Sequence, residues 1–297
     1  MNTMDNRRID LHVHTTASDG SSTPSEVVSL ASQKGLSAIA ITDHDTMGGV
    51  PEAMKTASTY GIEVIPGLEI STKYHSAVHI LGYYVNCESK DLQNELQWIV
   101  WERDQRNEKI CALMRESGLP VEYVKMKERF GDVVGRPHFA RLLVQLGLAE
   151  DVQDAFQRFL EKGKKYFQPR IFLSLKRSIE IISDSGGIPV LAHPFQYHLE
   201  DADMCELIEY CIKHGLRGIE CLYSGYTKEQ SSYLEKLASK YGLLVTGGSD
   251  YHGSVKPHIQ LGTGNGDLSV PYSVLEKMKD EHSRNDKTIQ SWQEIRF

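Results

Sequence analysis

Six histidines and three carboxylates mark where this chain can do chemistry: His12, His14, Asp19, His44, Glu69, His79, His193, Asp250 and His252. His12 and His14 are two apart in a segment that reads as extended, so both rings point to one face and can grip one ion. A lone His-x-His pair is often incidental, and two ordinary histidines would explain it. The reading changes because the other positions are also imidazoles and carboxylates, and nine donors exceed what one metal needs. Such a set without thiolate suits Mn²⁺, Zn²⁺ or Fe²⁺ in a working site rather than a structural zinc finger. A carboxylate can bridge two ions as an imidazole cannot, so Glu69 is the natural bridge. Ions about 3.5 to 4 Å apart lower the pKa of a shared water and give hydroxide at neutral pH, with no separate protein base.

Residues so far apart in sequence need a scaffold that brings strand ends together. Strands are expected at 9–14, 37–42, 62–65 and 78–85, with helices at 24–34, opened by Ser22 or Thr23 and stopped by Gly35, and at 50–60, ended by Gly61. Residues 91–117 then form a long helical run in which Glu102, Arg103, Asp104 and Arg106 alternate with Trp98, Ile99, Ile110 and Leu113. Trp98 and Trp101 read as core of this region. Helices follow at 137–146 and 152–161. Alternation then resumes, with helices at 174–185, 201–214 and 227–241 and strands at 188–192, 218–222 and 243–246. The pattern argues for a parallel α/β barrel, 1–89 with 166–297, carrying a helical insertion at 90–165. In such a barrel the C-terminal strand ends share one mouth, and nearly every candidate donor falls just after a strand.

Composition narrows the class. The chain has 297 residues, 40% hydrophobic and 25% charged, enough for a sizeable core. No segment is apolar enough for a membrane span, and the polar start Met1 to Arg8 does not read as a signal peptide, so a cytoplasmic protein is expected. Five cysteines without a Cys-x-x-Cys pair read as reduced thiols. A net charge of −7 without a basic stripe argues against long duplex nucleic acid and leaves room for a small phosphorylated substrate beside bound cations. The run Gly262 to Asp267 lacks a basic residue and reads as a loop, not a phosphate cradle.

Taken together, Asp10-Leu11-His12-Val13-His14, Ser18-Asp19-Gly20, Thr42-Asp43-His44-Asp45, Pro66-Gly67-Leu68-Glu69-Ile70, His79-Ile80-Leu81-Gly82, Leu191-Ala192-His193-Pro194 and Gly248-Ser249-Asp250-Tyr251-His252-Gly253 resemble the motifs of the polymerase-and-histidinol-phosphatase (PHP) family. The resemblance implies a distorted (β/α)7 barrel of the PHP type with two to three divalent ions, Mn²⁺ first among them and Zn²⁺ or Fe²⁺ as alternatives. It puts His12, His14, Glu69 and Asp250 on one ion, Glu69, His79 and His193 on a second, and Asp19, His44 and His252 on a third. His75 ranks below His79, which alone fits the His-Ile-Leu-Gly pattern.

Within the insertion, Gly135-Arg136-Pro137-His138 resembles a segment of the family's nucleotide-cleaving branch in which an arginine and a histidine face the substrate phosphate. An arginine fork binds two phosphate oxygens at once. Arg136 and His138 are therefore expected to hold the phosphate and to orient or protonate the departing ester, with Arg170 as a further contact. A solvated charge cluster is the simpler account of any one of Lys164, Lys165 and Arg170. Asp43 and Asp45 are expected to orient His44 or cap the next helix, and Glu220 has no metal-spaced partner. The activity implied is hydrolysis of nucleotide phosphate esters, foremost the 3′-phosphate of nucleoside 3′,5′-bisphosphates. A 5′→3′ exonuclease on short RNA is the rival, histidinol phosphate a weaker substrate, and a non-catalytic metal-stabilised binding module the alternative of another class. A deaminase or amidase is disfavoured by the three-ion ligand set, and the oligomeric state is left open.

Overall fold

Strand and helix alternate from the first turn because each helix is punctuated locally. The computed structural model describes residues 6–74, 77–131 and 133–294, for 285–294 the backbone alone, so His75 lies outside the described residues. The chain opens with β1 (Arg8–Val13), α1 (Pro24–Gln33), β2 (Leu36–Ile41), α2 (Val50–Tyr60) and β3 (Glu63–Lys73). Thr23 and Glu26 form a reciprocal capping box at the start of α1, and Gly61 ends α2 with a left-handed residue at φ 64°.

The strand expected at 62–65 runs on to Lys73, and β4 (Ala77–Tyr83) folds back on it as an antiparallel hairpin. The barrel is therefore not wholly parallel. After β4 come α3 (Lys90–Glu116), α4 (Tyr123–Phe130), α5 (Arg136–Gln145) and α6 (Val152–Ala155), the last continuing as a π-turn over Phe156–Leu160. Then follow β5 (Leu173–Ser174), α7 (Leu175–Asp184), β6 (Ile188–Leu191), α8 (Asp201–Lys213), β7 (Gly218–Tyr223), α9 (Lys228–Tyr241), β8 (Leu244–Gly248), β9 (Val270–Pro271) and α10 (Tyr272–Glu294). No helix among the described residues is long and apolar enough to cross a membrane.

The sheet order is β8-β7-β6-β4-β3-β2-β1-β9, with β5 pairing β3. The residues after β8 nearly close it: Asp250 N donates to His12 O and His14 N to Tyr251 O, each at 2.9 Å. Gly248 permits this approach, because a Cβ there would stand 2.4 Å from the His12 backbone nitrogen. One apolar cluster packs the strands against the helices of the barrel, with Val27, Val28 and Ile179 among its members. A second joins Ile9, Leu11, Ala40 and Leu81 to Leu275 and Met278 of α10. The helices between β4 and β5 have a third, built on Ile110, Met114, Phe139 and Leu143. Trp98 and Trp101, expected in that core, are exposed instead, because their helix faces turn toward solvent.

Candidate metal centre

The hairpin reversal explains how nine donors reach one rim. His12 and His14 leave β1 there, His44 follows β2, and His193 and Asp250 follow β6 and β8. Glu69 lies inside β3 rather than after it, opposite Leu81 of β4, because the hairpin extends beyond its neighbours. His79 stands near the start of β4, which the antiparallel direction brings to the same mouth. Asp45, His193 and Asp250 all have positive φ (57°, 26° and 57°), a strained backbone that aims rim side chains inward.

The Glu69 carboxylate is the hub. Its Oε1 lies 2.9 Å from His79 Nδ1 and 3.0 Å from His193 Nε2, and its Oε2 lies 2.9 Å from His44 Nδ1 and 3.4 Å from His14 Nε2. Asp250 Oδ1 is 3.3 Å from His14 Nε2, and Asp19 Oδ1 is 3.3 Å from His252 Nε2. Four groups have donor atoms within 4.8 Å of one another: His14, Asp19, His44 and His252; His12, His14 and Asp250; His12, Glu69 and His193; His44, Glu69 and His79.

Whether ions fit is decided by the nitrogens. His12 Nδ1 is held 2.9 Å from Glu220, so it donates there and Nε2 presents a lone pair, yet that lone pair faces His14 Nε2 at 3.2 Å. Two donors on one tetrahedral ion with bonds of about 2.1 Å sit about 3.4 Å apart. Nδ1 of His14, His44 and His193 is buried without a hydrogen-bond partner, although His44 Nδ1 lies close to Glu69. At His44, close approach to Glu69 without hydrogen-bond geometry is what two atoms aimed at a common third point show. The residues fit divalent cations.

Charge tells the same story. Burial alone would raise Asp19, Glu69 and Asp250, but for Asp19 and Glu69 the surrounding histidines, and for Asp250 Lys256 and the histidines, hold all three well below the usual carboxylate range. Burial would lower His44, yet Glu69 and Asp19 outweigh it and lift it to about 9. His14 is driven down to about 3 by burial, with His252 and His44 adding to it, which leaves its ring neutral and able to ligate.

Carboxylates behind the rim hold the donors in place. Asp10 accepts from His12 N, Ser249 N, Ser249 Oγ and Gly262 N, tying the first strand to the last and to the glycine-rich loop. Glu220 accepts from both His12 Nδ1 and His193 N. It has no need of a metal-spaced partner, because it orients a donor instead. Tyr223 and Lys256 donate to Asp250 Oδ2, leaving Oδ1 for the histidine side. Asp43 accepts from Thr15 and Ser18 and so secures the loop after β1.

Asp45 departs from its expected role. Rather than orient His44 or cap α2, it accepts from Ser71 and pairs with Arg103 and Arg170, the latter at 2.7 Å. These two arginines, with Arg106 and Arg136, line a cavity of about 460 Å³ that also touches Asp19, His44 and His79. Arg106 is 5% exposed, has no carboxylate partner among the described residues, and is pushed well below its ordinary value by burial and by Arg103, Arg170 and Arg136. Burial and Arg103 bring Arg170 down to about 10 despite Asp45. In the sequence, Arg103 and Arg106 read only as charges on an amphipathic helix. Their spacing of three, which puts both on one face, is the available signal.

The structure separates Arg136 from His138. Arg136 faces this cavity, whereas His138 is buried, accepts from Gly135 N through Nδ1 at 2.8 Å, and lines a different cavity with Arg129 and Arg141. Burial lowers His138 to about 4, so it is neutral at pH 7 and poorly suited to protonate an ester. Lys164 and Lys165 are exposed. The larger cavity between α2 and α3, about 570 Å³, is lined by Met47, Leu96 and Trp101 and has none of the histidines.

A nearly closed barrel that gathers imidazoles and carboxylates at one rim beside an arginine-lined cavity defines a metal-dependent phosphoesterase. The chain belongs to the PHP domain family, whose model matches residues 10–209. It is 35% identical over 247 residues to a 5′-3′ exoribonuclease of Haemophilus influenzae, covering 83% of this chain and 90% of the relative. It is 31% identical over 248 residues to a 3′,5′-nucleoside bisphosphate phosphatase of Chromobacterium violaceum, covering 82% and 87%. A solved structure provisionally assigned as a metal-dependent phosphoesterase of Bifidobacterium adolescentis superposes with a TM-score of 0.81 at 29% identity, covering 92% of this chain and 95% of that one.

Proposed function

We propose that this enzyme hydrolyses phosphate esters of nucleotides that carry two phosphates, foremost the 3′-phosphate of nucleoside 3′,5′-bisphosphates. One observation carries the reading: a buried guanidinium, Arg106, unpaired among the described residues, stands in a cavity that opens onto the histidine cluster. A charge left unpaired in the interior calls for a counter-ion, and a substrate phosphate supplies it.

In this reading the barrel, 1–89 and 166–297, carries the metals and the inserted segment 90–165 binds the substrate. His12, His14, Glu69 and Asp250 would hold one ion, Glu69, His79 and His193 a second, and Asp19, His44 and His252 a third. The donor set admits Mn²⁺, Zn²⁺ or Fe²⁺, with Mn²⁺ the first choice. Bound ions supply an activated water and neutralise charge on the phosphoryl oxygens. The chain's own residues position the ester. Arg106 and Arg136 hold the phosphate that is not cleaved, while Asp45 fixes Arg103 and Arg170 so that their forks stay aimed at the cavity. Reduced cysteines at all five positions suit a cytoplasmic setting.

The likeness to the exoribonuclease favours a second reading, release of mononucleotides from the 5′ end of short RNA. The test measures phosphate released from adenosine 3′,5′-bisphosphate beside mononucleotide released from a 5′-phosphorylated tetranucleotide, with added Mn²⁺ and with a chelator. Faster turnover of the bisphosphate supports the first reading and faster turnover of RNA the second. Equal activity on a nucleoside monophosphate would overturn both, since neither arginine pair would then matter.

A further inference from the structure

A second basic cavity, about 430 Å³, lies on the other side of Asp19: Asp19 borders the arginine-lined cavity, and its neighbours Gly20 and Ser21 border this one. Its side chains include Arg129, Arg141, His138 and Phe130, and no aspartate or glutamate lines it among the described residues. The two guanidiniums rest on the Phe130 ring, 5.0 and 5.2 Å from its centroid, and neither is paired with a carboxylate among the described residues. Because His138 Nδ1 accepts from Gly135 N, the ring proton sits on Nε2, which is a donor with no other hydrogen bond. His138 and Arg141 are three apart on α5 and share a face, while Arg136, two residues before His138, lies about 200° around the axis. One short helix thus serves two cavities on opposite sides.

We propose that this cavity is a second phosphate subsite, occupied by the phosphodiester one nucleotide beyond the scissile one, so that a short 5′-phosphorylated oligoribonucleotide is bound across the metal centre. The inference rests on the second reading above, release of mononucleotides from short RNA, and extends it. A nucleoside bisphosphate has two phosphates, one for the metals and one for Arg106 and Arg136. It leaves Arg129 and Arg141 without a paired carboxylate among the described residues, with only the negative charge of Asp19 reaching Arg141. A chain has a third phosphate, and single-stranded nucleic acid is held by basic grooves that follow its backbone. In a protein of net charge −7, an exposed Arg129 and a half-buried Arg141 with no carboxylate partner among the described residues, beside the buried His138 donor, make a basic concavity that an anion would complete.

The experiment compares the double variant Arg129→Gln/Arg141→Gln with wild type on 5′-phosphorylated tetra-adenylate and on adenosine 3′,5′-bisphosphate. The ratio of kcat/KM for the tetranucleotide over that for the bisphosphate is expected to fall at least tenfold, through KM. The salt dependence for the tetranucleotide should become shallower by about 0.7 in log–log slope, the change expected when one phosphate fewer is neutralised. Arg129→Lys/Arg141→Lys, which keeps the charge, should recover part of the ratio. An unchanged ratio, or equal loss on both substrates, overturns the subsite. Binding of the same tetranucleotide with a 3′ fluorophore, followed by anisotropy in chelator, separates the two claims. If wild type cleaves neither ester yet binds the probe at least tenfold better than the glutamine variant, the subsite stands and the esterase reading falls. If binding is equal, the subsite falls.

Discussion

The rim of the barrel and the arginine wall beside it are electrostatically unfinished in opposite senses. At the rim, Asp19, Glu69 and Asp250 stay ionised in the interior, while His14 and His79 beside them are held below their ordinary value by burial. In the wall, Arg103 and Arg170 pair with Asp45, while Arg106 and Arg136 pair with no carboxylate among the described residues. The rim lacks cations and the wall lacks an anion. Each half is also held differently. Rim donors are fixed by hydrogen bonds that Asp10 and Glu220 accept and by strained backbone, whereas the wall depends on the two ion pairs of Asp45 and on helices from outside the barrel. On the proposed reading the reaction belongs to the rim and the choice of ester to the wall, and each half of that reading can be broken separately.

Breaking the rim should have the largest effect. Asp250→Asn removes a metal-facing charge, and losing several kcal/mol of charge stabilisation lowers kcat on the order of 10³-fold or more. Metal content measured by mass spectrometry should drop with it, while far-UV circular dichroism is kept. Full activity with full metal content would show that Asp250 holds no ion.

Breaking the wall should move activity and stability in opposite directions. Arg106→Met removes a charged partner of the phosphate, at a cost of about 2–4 kcal/mol in kcat/KM, or roughly 30- to 1000-fold. The ligand-free variant should nevertheless unfold at a higher temperature, because a buried unpaired guanidinium is replaced by an apolar side chain of similar length. Stabilisation of wild type by inorganic phosphate should be largely abolished. A variant that loses stability along with activity would mean that Arg106 is a structural residue.

A smaller effect is expected behind the rim. Glu220→Gln keeps the size of the side chain but weakens its hold on His12, and loss of such a partner typically costs about 10- to 100-fold in metal affinity. Competition with a fluorescent chelator would measure it, and an unchanged affinity would remove Glu220 from the metal centre.

Much of this contrast is legible in the sequence on one side only. Most rim donors are readable because they end a strand or follow it within a few residues, and the barrel brings such ends together. Glu69 and His79 belong to the set, but their positions inside an antiparallel hairpin do not follow from a parallel alternation. The wall is mostly hidden. Arg103 and Arg106 look like the solvent face of a long helix until Asp45, 58 residues away from Arg103, is brought against it. Trp98 and Trp101 mislead for the same reason: the apolar pattern of α3 does not say which face meets a partner. Arg136 and His138 invite one task because they are close in sequence, although two helical residues turn side chains about 200° apart.

The smallest effect tests that last separation. His138 is 1% exposed and burial holds its pKa at about 4 in the folded protein, below the 6.5 of an unfolded chain. The unfolded state therefore binds a proton between these values that the folded state does not. Stability from this residue is fully present above pH 6.5 and is lost as pH falls through the window toward 4. One proton corresponds to about 1.4 kcal/mol per pH unit, so between pH 6.5 and 5.5 the expected loss is about 1 kcal/mol. His138→Asn should flatten the dependence of urea-unfolding free energy on pH by about one proton in this range. A residue acting as a protonated donor at the ester would instead have a raised pKa, and its replacement would steepen the curve. That outcome would return His138 to the side of the leaving group and remove it from the second phosphate cavity.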